Sequence, residues 1–306
     1  IIFLLISQRT AKFFVCFEPL SAYTLDLGGA CCGIICFIII SFLHAPPLIW
    51  FVVLMGLYFA TIMEFRLLQK LAVLVPFLGM FCFVNQQNQQ LMIDLKYYDD
   101  LIVRWSPYQR VEFKTFENEG SEPFHAIFVN GIPHQDMLYP DTIMRSFYAT
   151  VYRDREAQSA PPIRRVLILG AGAGNDVAAA LANGAEFVHA VEIDPVIAEL
   201  GRNHHPARPY QDTRVKLTVD DGRSVLTNSE EKYDLIIFAL TDSLIKVSPM
   251  TQLRLENYLF TVESVRRAND LLNENGALLF YNYYRTDWLI KKLRAMITLA
   301  TGNSPR

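Results

Sequence analysis

Three glycines and two acidic residues have the spacing of a nucleotide-binding site. Gly170, Gly172 and Gly174 follow an apolar run of the kind that a parallel sheet buries on both faces. Glycine lets the backbone turn tightly and approach a ligand, which a side chain would block. Glu192 stands about 20 residues further on, at the predicted end of the next strand, where a carboxylate can accept both ribose hydroxyls. Asp221 follows a third predicted strand, where a carboxylate can meet an adenine amino group.

A glycine triplet alone is weak evidence, because an ordinary turn between a strand and a helix can contain one. Here the triplet belongs to a series of predicted strands at 166–169, 215–219 and 233–238. Asn175 stands where a dinucleotide fingerprint places its third glycine, so an S-adenosylmethionine-type nucleoside is favoured and NAD is the alternative. Asn175 or Asp176 is expected to cap the helix that follows.

The composition divides the chain of 306 residues into two unlike halves. Up to Val84 the residues are mostly apolar, whereas those from Asn85 onward have a soluble protein's mixture. The net charge of −3 argues against a nucleic-acid partner, since such domains usually carry a strong basic excess. No metal site is predicted, because all five cysteines lie in the apolar half, where cysteine packs as a small apolar residue. The adjacent His204 and His205 lack a third ligand nearby and are interpreted as a solvated helix end.

The apolar half predicts membrane-spanning helices. Leu27–Leu43, Leu48–Met63 and Leu71–Val84 are three candidate spans, and Ile1–Ile6 reads as the end of a partial one. The first two are separated by a Pro-Pro turn, which predicts an antiparallel hairpin. The expected partners of this half are therefore the lipid bilayer and other membrane subunits.

The orientation of these spans is predicted differently by two arguments. The basic residues Arg9, Lys12, Arg66 and Lys70 would place two loops in the cytoplasm and the C-terminal half across the membrane. An S-adenosyl nucleoside is made in the cytoplasm, which favours the opposite orientation. We expect an inner-membrane protein with its soluble domain in the cytoplasm.

Three regions are predicted along the chain. Residues 1–84 form the transmembrane region, 85–160 a linker with a small β-hairpin unit, and 161–306 a nucleoside-binding domain. The hairpin is predicted from strand patterns at 105–111 and 125–131, the second ending in Asn-Gly. The last predicted helix, 288–299, leaves no room for further strands, so the domain is expected to be incomplete at its C-terminus.

The ordered motifs SPYQRV, VNGIPHQ, the glycine loop, VEID, DDG and YDLIIFALTD, spread over about 105–284, carry a family resemblance. Together the series resembles the spermidine synthase (aminopropyltransferase) family, and the apolar half is similar to that of a bacterial subgroup fused to transmembrane helices. The resemblance implies an α/β fold with a Rossmann-like parallel sheet of the S-adenosylmethionine-methyltransferase type, preceded by a small β unit. It also implies S-adenosylmethionine or its decarboxylated form as cofactor, and a small amine as substrate.

Residue roles follow from the same resemblance. Gln109, Glu192 and Asp221 would hold the nucleoside together with the three glycines, and Asp242 would be catalytic, near the amine. In two places the chain departs from the family pattern, because Ala173 and Ala239 stand where aspartates are usual.

These departures predict an aminopropyl or other small-group transferase with altered or weak activity. The alternative is a noncatalytic membrane subunit that keeps the fold as a scaffold. An open acidic cavity beside Asp242 would favour the enzyme, and a cavity filled by Phe238, Leu240 or Tyr283 would favour the scaffold.

Overall fold

The structure is a computed structural model that describes residues 7, 10–43, 45–61, 74–86, 101–117, 122–239, 259–281 and 287–305. The chain forms two compact units. The first contains residues 1–100 with 104–108, and the second contains residues 101–103 with 109–306.

The first unit contains helices α1 (Pro19–Phe42), α2 (Pro47–Thr61) and α3 (Leu74–Gln86). Glu18 precedes a proline at the first position of α1, a position where proline removes no helical hydrogen bond. Phe37 and Trp50 lie on either side of the intervening turn, and their rings meet edge to face with centroids 5.2 Å apart. This contact shows that α2 folds back along α1, as a helical hairpin requires.

Among the described residues, α1 is the one helix that is long and apolar enough to cross a membrane. It has 24 residues, a mean hydropathy of 2.2 in its most apolar window, and only 6% of that window buried. The segments Pro47–Leu57 and Leu74–Gln86 are apolar but shorter. Of the three predicted spans, therefore, one reaches the full length as a described helix. The predicted partial span Ile1–Ile6 lies outside the described residues.

A small antiparallel sheet precedes the main domain. It contains β1 (Ile102–Trp105), β2 (Arg110–Phe116), β3 (Phe124–Val129) and β4 (Ile132–Met137) in that order. The predicted β unit is thus a four-stranded sheet, but the strand predicted at 105–111 is wrong, because residues 106–109 form the turn between β1 and β2. Asn130 and Gly131 both have positive φ, 51° and 80°, and they form the turn between β3 and β4.

The main domain is built on a five-stranded parallel sheet. Its strands are β5 (Arg165–Leu169), β6 (Phe187–Glu192), β7 (Val215–Val219), β8 (Tyr233–Phe238) and β9 (Leu272–Phe280). The spatial order is β7-β6-β5-β8-β9, with every neighbouring pair parallel. The chain begins with the central strand β5 and adds β6 and β7 on one side of it. It then crosses back and adds β8 and β9 on the other side. Ligands of such sheets bind at the carboxyl ends of the strands, where this reversal occurs.

Helices connect the strands and flank the sheet. Between the small sheet and β5 lie α4 (Pro140–Arg145) and α5 (Thr150–Ala157); α6 (Asn175–Ala182), α7 (Pro195–His204), α8 (Gly222–Asn228), α9 (Val262–Asp270) and α10 (Asp287–Thr301) follow. Short 3₁₀ turns occur at Phe147–Ala149 and Pro209–Gln211. This is the predicted α/β, Rossmann-like fold class, and the prediction is confirmed.

The central strand is buried on both faces, as its continuous apolar sequence predicts. Val166 and Ile168 pack in one hydrophobic cluster, and Leu167 and Leu169 pack in another on the opposite face; all four are 0% exposed. Strand β5 is therefore packed on both faces. This packing holds the first residue of the glycine loop, which follows the strand, in place.

The start of β9 differs from what the sequence predicts. The apolar run 277–281 predicts a strand that begins at Ala277, but β9 begins at Leu272, five residues earlier along a stretch that reads Leu-Asn-Glu-Asn-Gly. This composition is typical of a turn. The pairing of Tyr233 with Leu272, followed by a register shift, extends the strand across it. The sequence predicts a long helix over about 252–272, but α9 begins at Val262, after the extended N-cap residue Thr261, and ends at Asp270; residues 252–258 lie outside the described residues.

Helix α7 packs unusually close to the glycine loop, which gives a test of the fold. A Cβ added at Gly201 would lie 2.4 Å from the carbonyl oxygen of Ala173. We expect Gly201→Ala to destabilise the protein by about 1–3 kcal/mol through overpacking, although the same change in an open helix usually stabilises by about 0.5–1 kcal/mol.

The matched control is Gly222→Ala at the start of α8, where the added Cβ would meet side-chain atoms at 3.4 Å and beyond. Urea denaturation of the two variants gives the comparison. Equal unfolding free energies for both would contradict the close packing of α7 on the loop.

Candidate functional site

The glycine loop between β5 and α6 has a backbone that only glycine tolerates well. Gly170, Gly172 and Gly174 have φ values of 82°, 57° and 111°. A Cβ at Gly172 would lie 2.4 Å from Oε1 of Gln135, and one at Gly174 would lie 2.7 Å from Cγ of Pro209. Both the backbone conformation and the close neighbours therefore exclude a side chain at the last two positions.

The capping prediction for α6 was wrong. The N-cap residue is Gly174, and no side chain caps it. The helix begins at Asn175 because the left-handed Gly174 already turns the chain into it, and the Asn175 and Asp176 side chains make other contacts. At the other end of the helix, Gly184 has φ 85°, the left-handed conformation in which glycine commonly ends helices.

Glu192 lies at the carboxyl end of β6 and turns its side chain onto the loop. Its Oε2 accepts a hydrogen bond from Gly172 N at 2.7 Å, and its Oε1 accepts one from Asp194 N at 2.9 Å. The residue is 6% exposed, and burial raises the pKa of its carboxyl to about 7 although these backbone donors act to lower it. A carboxylate can accept about four hydrogen bonds, so Glu192 keeps acceptor capacity beyond these two.

Gln109 reaches the same place from the small sheet. Its Nε2 donates to Oδ2 of Asp194 at 3.1 Å. The other oxygen of Asp194 caps α7 by accepting from Val196 N at 2.9 Å. Because Asp194 N also donates to Glu192, the structure brings Gln109 and Glu192 together through one residue. In the sequence, Asp194 is marked only by its place at the end of the VEID motif, before Pro195.

Asp221 lies on the same edge of the sheet as Glu192. The two strands pair in register, with Glu192 opposite Val219, and Asp220 N donates to the Glu192 carbonyl at 3.2 Å. Asp221 also caps α8, because its Oδ1 accepts from Arg223 N at 2.7 Å and Ser224 N at 3.1 Å. Within the described part of the chain, its Oδ2 takes no hydrogen bond, and the residue is half-buried.

Two amide side chains that hold the small sheet to the loop were not predicted as site residues. Gln135 Oε1 accepts from Ala173 N at 2.7 Å. Asn175 is 1% exposed, and its amide oxygen and amide nitrogen each take part in two hydrogen bonds. It bonds Leu138 N at 3.1 Å, the Asp136 carbonyl at 2.8 Å, the Tyr148 hydroxyl at 3.2 Å and His205 Nε2 at 3.0 Å. The only sequence signal was an asparagine where a fingerprint would have glycine.

The interpretation of the histidine pair as a solvated helix end is corrected for His205. This residue is 1% exposed and contacts Asn175, and burial lowers the pKa of its imidazole to about 4. The chain turns inward after α7, a change of direction that the helical pattern does not encode. In the described ranges, no group of three or more His, Cys, Asp or Glu side chains is placed to hold a metal ion.

The two alanines at the departures from the family pattern are buried. Ala173 is 0% exposed and belongs to an apolar cluster with Val111, Ile197 and Leu200. Ala239 is 2% exposed, and its N donates to the Leu169 carbonyl at 3.0 Å. Neither position therefore presents a carboxylate to a ligand.

The predicted catalytic residue Asp242 lies outside the described residues, as do Leu240 and Tyr283. Phe238, the third residue proposed to fill a scaffold's cavity, is 0% exposed. It stacks on Phe280 with ring centroids 4.3 Å apart, in the core on one face of the sheet.

Comparison with known proteins gives the family of the main domain. The family model of the spermine/spermidine synthase domain matches residues 156–293. This chain carries a spermidine synthase family domain. It is 37% identical to the polyamine aminopropyltransferase of Thermococcus onnurineus over 119 residues, 38% of this chain and 39% of that protein. It is 25% identical to the polyamine aminopropyltransferase of Alkaliphilus metalliredigens over 207 residues, 66% of this chain and 69% of that protein.

The aligned regions cover only part of several relatives. The chain spans 25% of the length of the Korarchaeum cryptofilum polyamine aminopropyltransferase and 40% of that from Pseudomonas syringae. Among solved structures, a spermidine synthase from Thermotoga maritima is similar with a TM-score of 0.42 and 20% identity, over 62% of this chain and 60% of that one.

Two buried carboxyls of this spermidine synthase family domain predict how its stability depends on pH. Burial raises the pKa of both Asp176 and Glu192 to about 7. In the unfolded chain each carboxyl titrates near its ordinary value, so between about pH 4 and 7 the folded state binds more protons. We therefore expect the free energy of unfolding to fall as pH rises through this window, by up to about 1.4 kcal/mol per pH unit for each group.

Urea denaturation at several pH values checks this dependence. Asp176→Asn should remove the contribution of one carboxyl, so the free energy of unfolding of this variant should fall less steeply with pH. The control is Asp154→Asn, a substitution at an exposed carboxyl on α5. A curve that rises with pH over the same window would contradict the expectation.

Proposed function

We propose that the second unit binds an S-adenosyl-type nucleoside, S-adenosylmethionine or its decarboxylated form, at the carboxyl edge of the parallel sheet. The observation that carries this proposal is the pairing of β6 with β7. It places Glu192 and Asp221 at neighbouring strand ends, beside a loop whose three glycines all have positive φ. One nucleoside could then contact both carboxylates.

The residues fit such a ligand in chemistry. Glu192 has acceptor capacity for ribose hydroxyls, and Asp221 Oδ2 is available for an adenine amino group. Gln109 and Gln135 extend from the small sheet to the loop and to Asp194, which supports a role for both amides at the rim of this site. Strand ends packed on two faces hold these groups in place, so little ordering is needed when the ligand binds.

We propose that the reaction is the transfer of an aminopropyl or other small group to an amine. The nucleoside, when bound, supplies a carbon activated by a sulfonium. The protein then has to orient an amine toward that carbon, exclude water and accept a proton, contributions that are typical of positioning and general-base catalysis. Asp242 is our candidate for the residue near the amine, on the resemblance to the family.

The nucleoside site is tested by calorimetry with 5′-methylthioadenosine or S-adenosylmethionine. Glu192→Gln keeps one acceptor oxygen but replaces the other with a donor that faces a backbone N–H. Loss of a charge-assisted hydrogen bond of about 1.5–3 kcal/mol should weaken binding roughly 10- to 100-fold.

The matched control is Glu231→Gln, a glutamate that is exposed and pairs with Arg165 at the opposite end of the strands. This variant should bind like the wild type. Nucleoside binding that is absent in the wild type, or equal in Glu192→Gln and the control, would rule out the proposed site.

We further propose that ordinary spermidine synthesis is weak in this protein. Ala173 and Ala239 leave methyl groups where the family pattern has aspartates, and the former packs in an apolar cluster. A missing charge-assisted hydrogen bond costs about 10- to 100-fold in affinity for a cationic ligand, and a missing base costs about 10²- to 10⁴-fold in rate.

The measurement is steady-state turnover with decarboxylated S-adenosylmethionine and putrescine. The Thermococcus onnurineus relative serves as the positive control, and a panel of less basic acceptors shows whether the specificity has changed. We expect turnover well below the ordinary enzyme range of about 1–10³ per second. Turnover within that range would contradict the proposal, and no product with any acceptor would favour the scaffold role.

The last part of the proposal is membrane anchoring with the nucleoside-binding unit in the cytoplasm. It is supported by α1, whose apolar side chains are largely exposed over 24 residues. Sodium carbonate extraction of membranes from expressing cells tests it. We expect the full chain to stay with the membrane, whereas a variant with three lysines replacing Ile34, Ile38 and Leu27 should be released. Release of the unchanged chain would contradict anchoring.

A further inference from the structure

Asp176 is a buried carboxylate in the first turn of α6, directly after the glycine loop. It is 3% exposed, and its Oδ2 accepts a hydrogen bond from the Tyr281 hydroxyl. Tyr281 is the residue that follows β9, and it is half-buried. The carboxylate is therefore linked by one hydroxyl to the carboxyl edge of the sheet, where the proposed nucleoside site lies.

Tyr281 stands beside one of the two departures from the family pattern. Phe238 pairs in register with Phe280 on the neighbouring strand. Ala239 and Tyr281 are the next residues on each strand, so they occupy adjacent positions just beyond the strand ends. Where the family pattern has a carboxylate, this chain has the methyl group of Ala239. Beside it lies Tyr281, whose hydroxyl hydrogen-bonds the carboxylate of Asp176.

The surroundings of Asp176 supply hydroxyls but no cation. In the part of the chain that the structure describes, the titratable groups that interact with it are the phenols of Tyr152, Tyr210 and Tyr281, and Tyr148 packs edge to face against Tyr281. Among the described residues, no Lys, Arg or His forms an ion pair with Asp176. A buried carboxylate without a cation is costly, and a cationic ligand would relieve that cost. The chemistry of the cluster thus fits an ammonium group.

On the basis of the proposed function, we propose that the Asp176–Tyr281 pair binds the acceptor amine and receives its proton during transfer. The acceptor binds as an ammonium and gives one proton to the Tyr281 oxygen, whose own proton passes to Asp176. The lone pair freed on the nitrogen then forms the new C–N bond, while the C–S bond breaks and its electron pair goes to sulfur. Tyr281 is the contacting group, and Asp176 is a positioning residue that also stores the proton. The charges balance, since the ammonium and the carboxylate become an amine and a carboxylic acid, and the positive charge of the sulfonium ends on the new secondary ammonium.

The test separates amine binding from nucleoside binding. With 5′-methylthioadenosine saturating, putrescine binding is measured by calorimetry in two buffers of different ionisation enthalpy. Asp176→Asn and Tyr281→Phe should each weaken putrescine binding about tenfold or more and abolish the proton exchange that accompanies it. Their affinity for 5′-methylthioadenosine should stay within about twofold of the wild type, because neither residue hydrogen-bonds Glu192 or Asp221.

The pH profile distinguishes a proton acceptor from a structural residue. Burial raises the pKa of Asp176 to about 7. Turnover in the wild type should therefore fall about tenfold per pH unit on the acid side, since a protonated Asp176 cannot receive a proton. In Asp176→Asn this acid limb should disappear and kcat should drop about 10²-fold or more. The control is Tyr233→Phe, which removes another buried phenol, bonded to His189 within the sheet, and should leave both readouts unchanged.

The outcomes are distinguishable. If nucleoside binds but putrescine affinity and the acid limb are the same in both variants as in the wild type, the pair is structural and the proposed function stands. If the wild type binds no nucleoside, or binds nucleoside but no amine, the pair has no substrate role and the proposal is overturned. If Asp176→Asn does not fold, Tyr281→Phe decides, because it removes a single half-buried hydroxyl.

Discussion

The backbone conformation of the glycine loop is the constraint on which the rest of the site depends. Its N–H groups and carbonyls are contacted from three directions: Glu192 from β6, Gln135 from the small sheet, and the Tyr210 hydroxyl, which donates to the Gly172 carbonyl at 2.6 Å. A side chain at Gly172 would displace the amide of Gln135. The absence of side chains therefore serves the packing of the protein as well as the approach of a ligand.

Because the loop is held in this way, the small sheet and the parallel sheet share one polar network. Asn175 hydrogen-bonds to Asp136 on β4 and to His205 after α7, and Gln109 hydrogen-bonds to Asp194. These bonds are buried or half-buried, where an unmade hydrogen bond costs about 1–3 kcal/mol. The same low-dielectric surroundings raise the pKa of Asp176 and Glu192 to about 7. Rigidity of the site and titration near neutral pH thus have the same physical cause.

The carboxylates of this chain stand at other positions than in the family pattern. Ala173 and Ala239 replace two aspartates, whereas Asp176 is a carboxylate that Tyr281 hydrogen-bonds. Around Ala173 the packing is apolar, whereas the acid side chains are Glu192 on β6 and Asp176 on α6. Both carboxylates are buried, at 3% exposure for Asp176 and 6% for Glu192, and Asp176 is hydrogen-bonded by the hydroxyl of Tyr281.

The sequence alone determined the features that depend on local patterns. Continuous apolar runs predict β5 and β8 at their observed positions, and the spacing of Gly170, Glu192 and Asp221 predicts that they lie at strand ends, as they do. Tertiary structure decided the features that depend on residues far apart in the chain. Asn175 became a buried junction rather than a helix cap, His205 turned inward, and Tyr281 met Asp176 across more than a hundred residues of chain. No periodicity encodes such contacts, because each partner satisfies its hydrogen bond only after the sheet has brought the strand ends together.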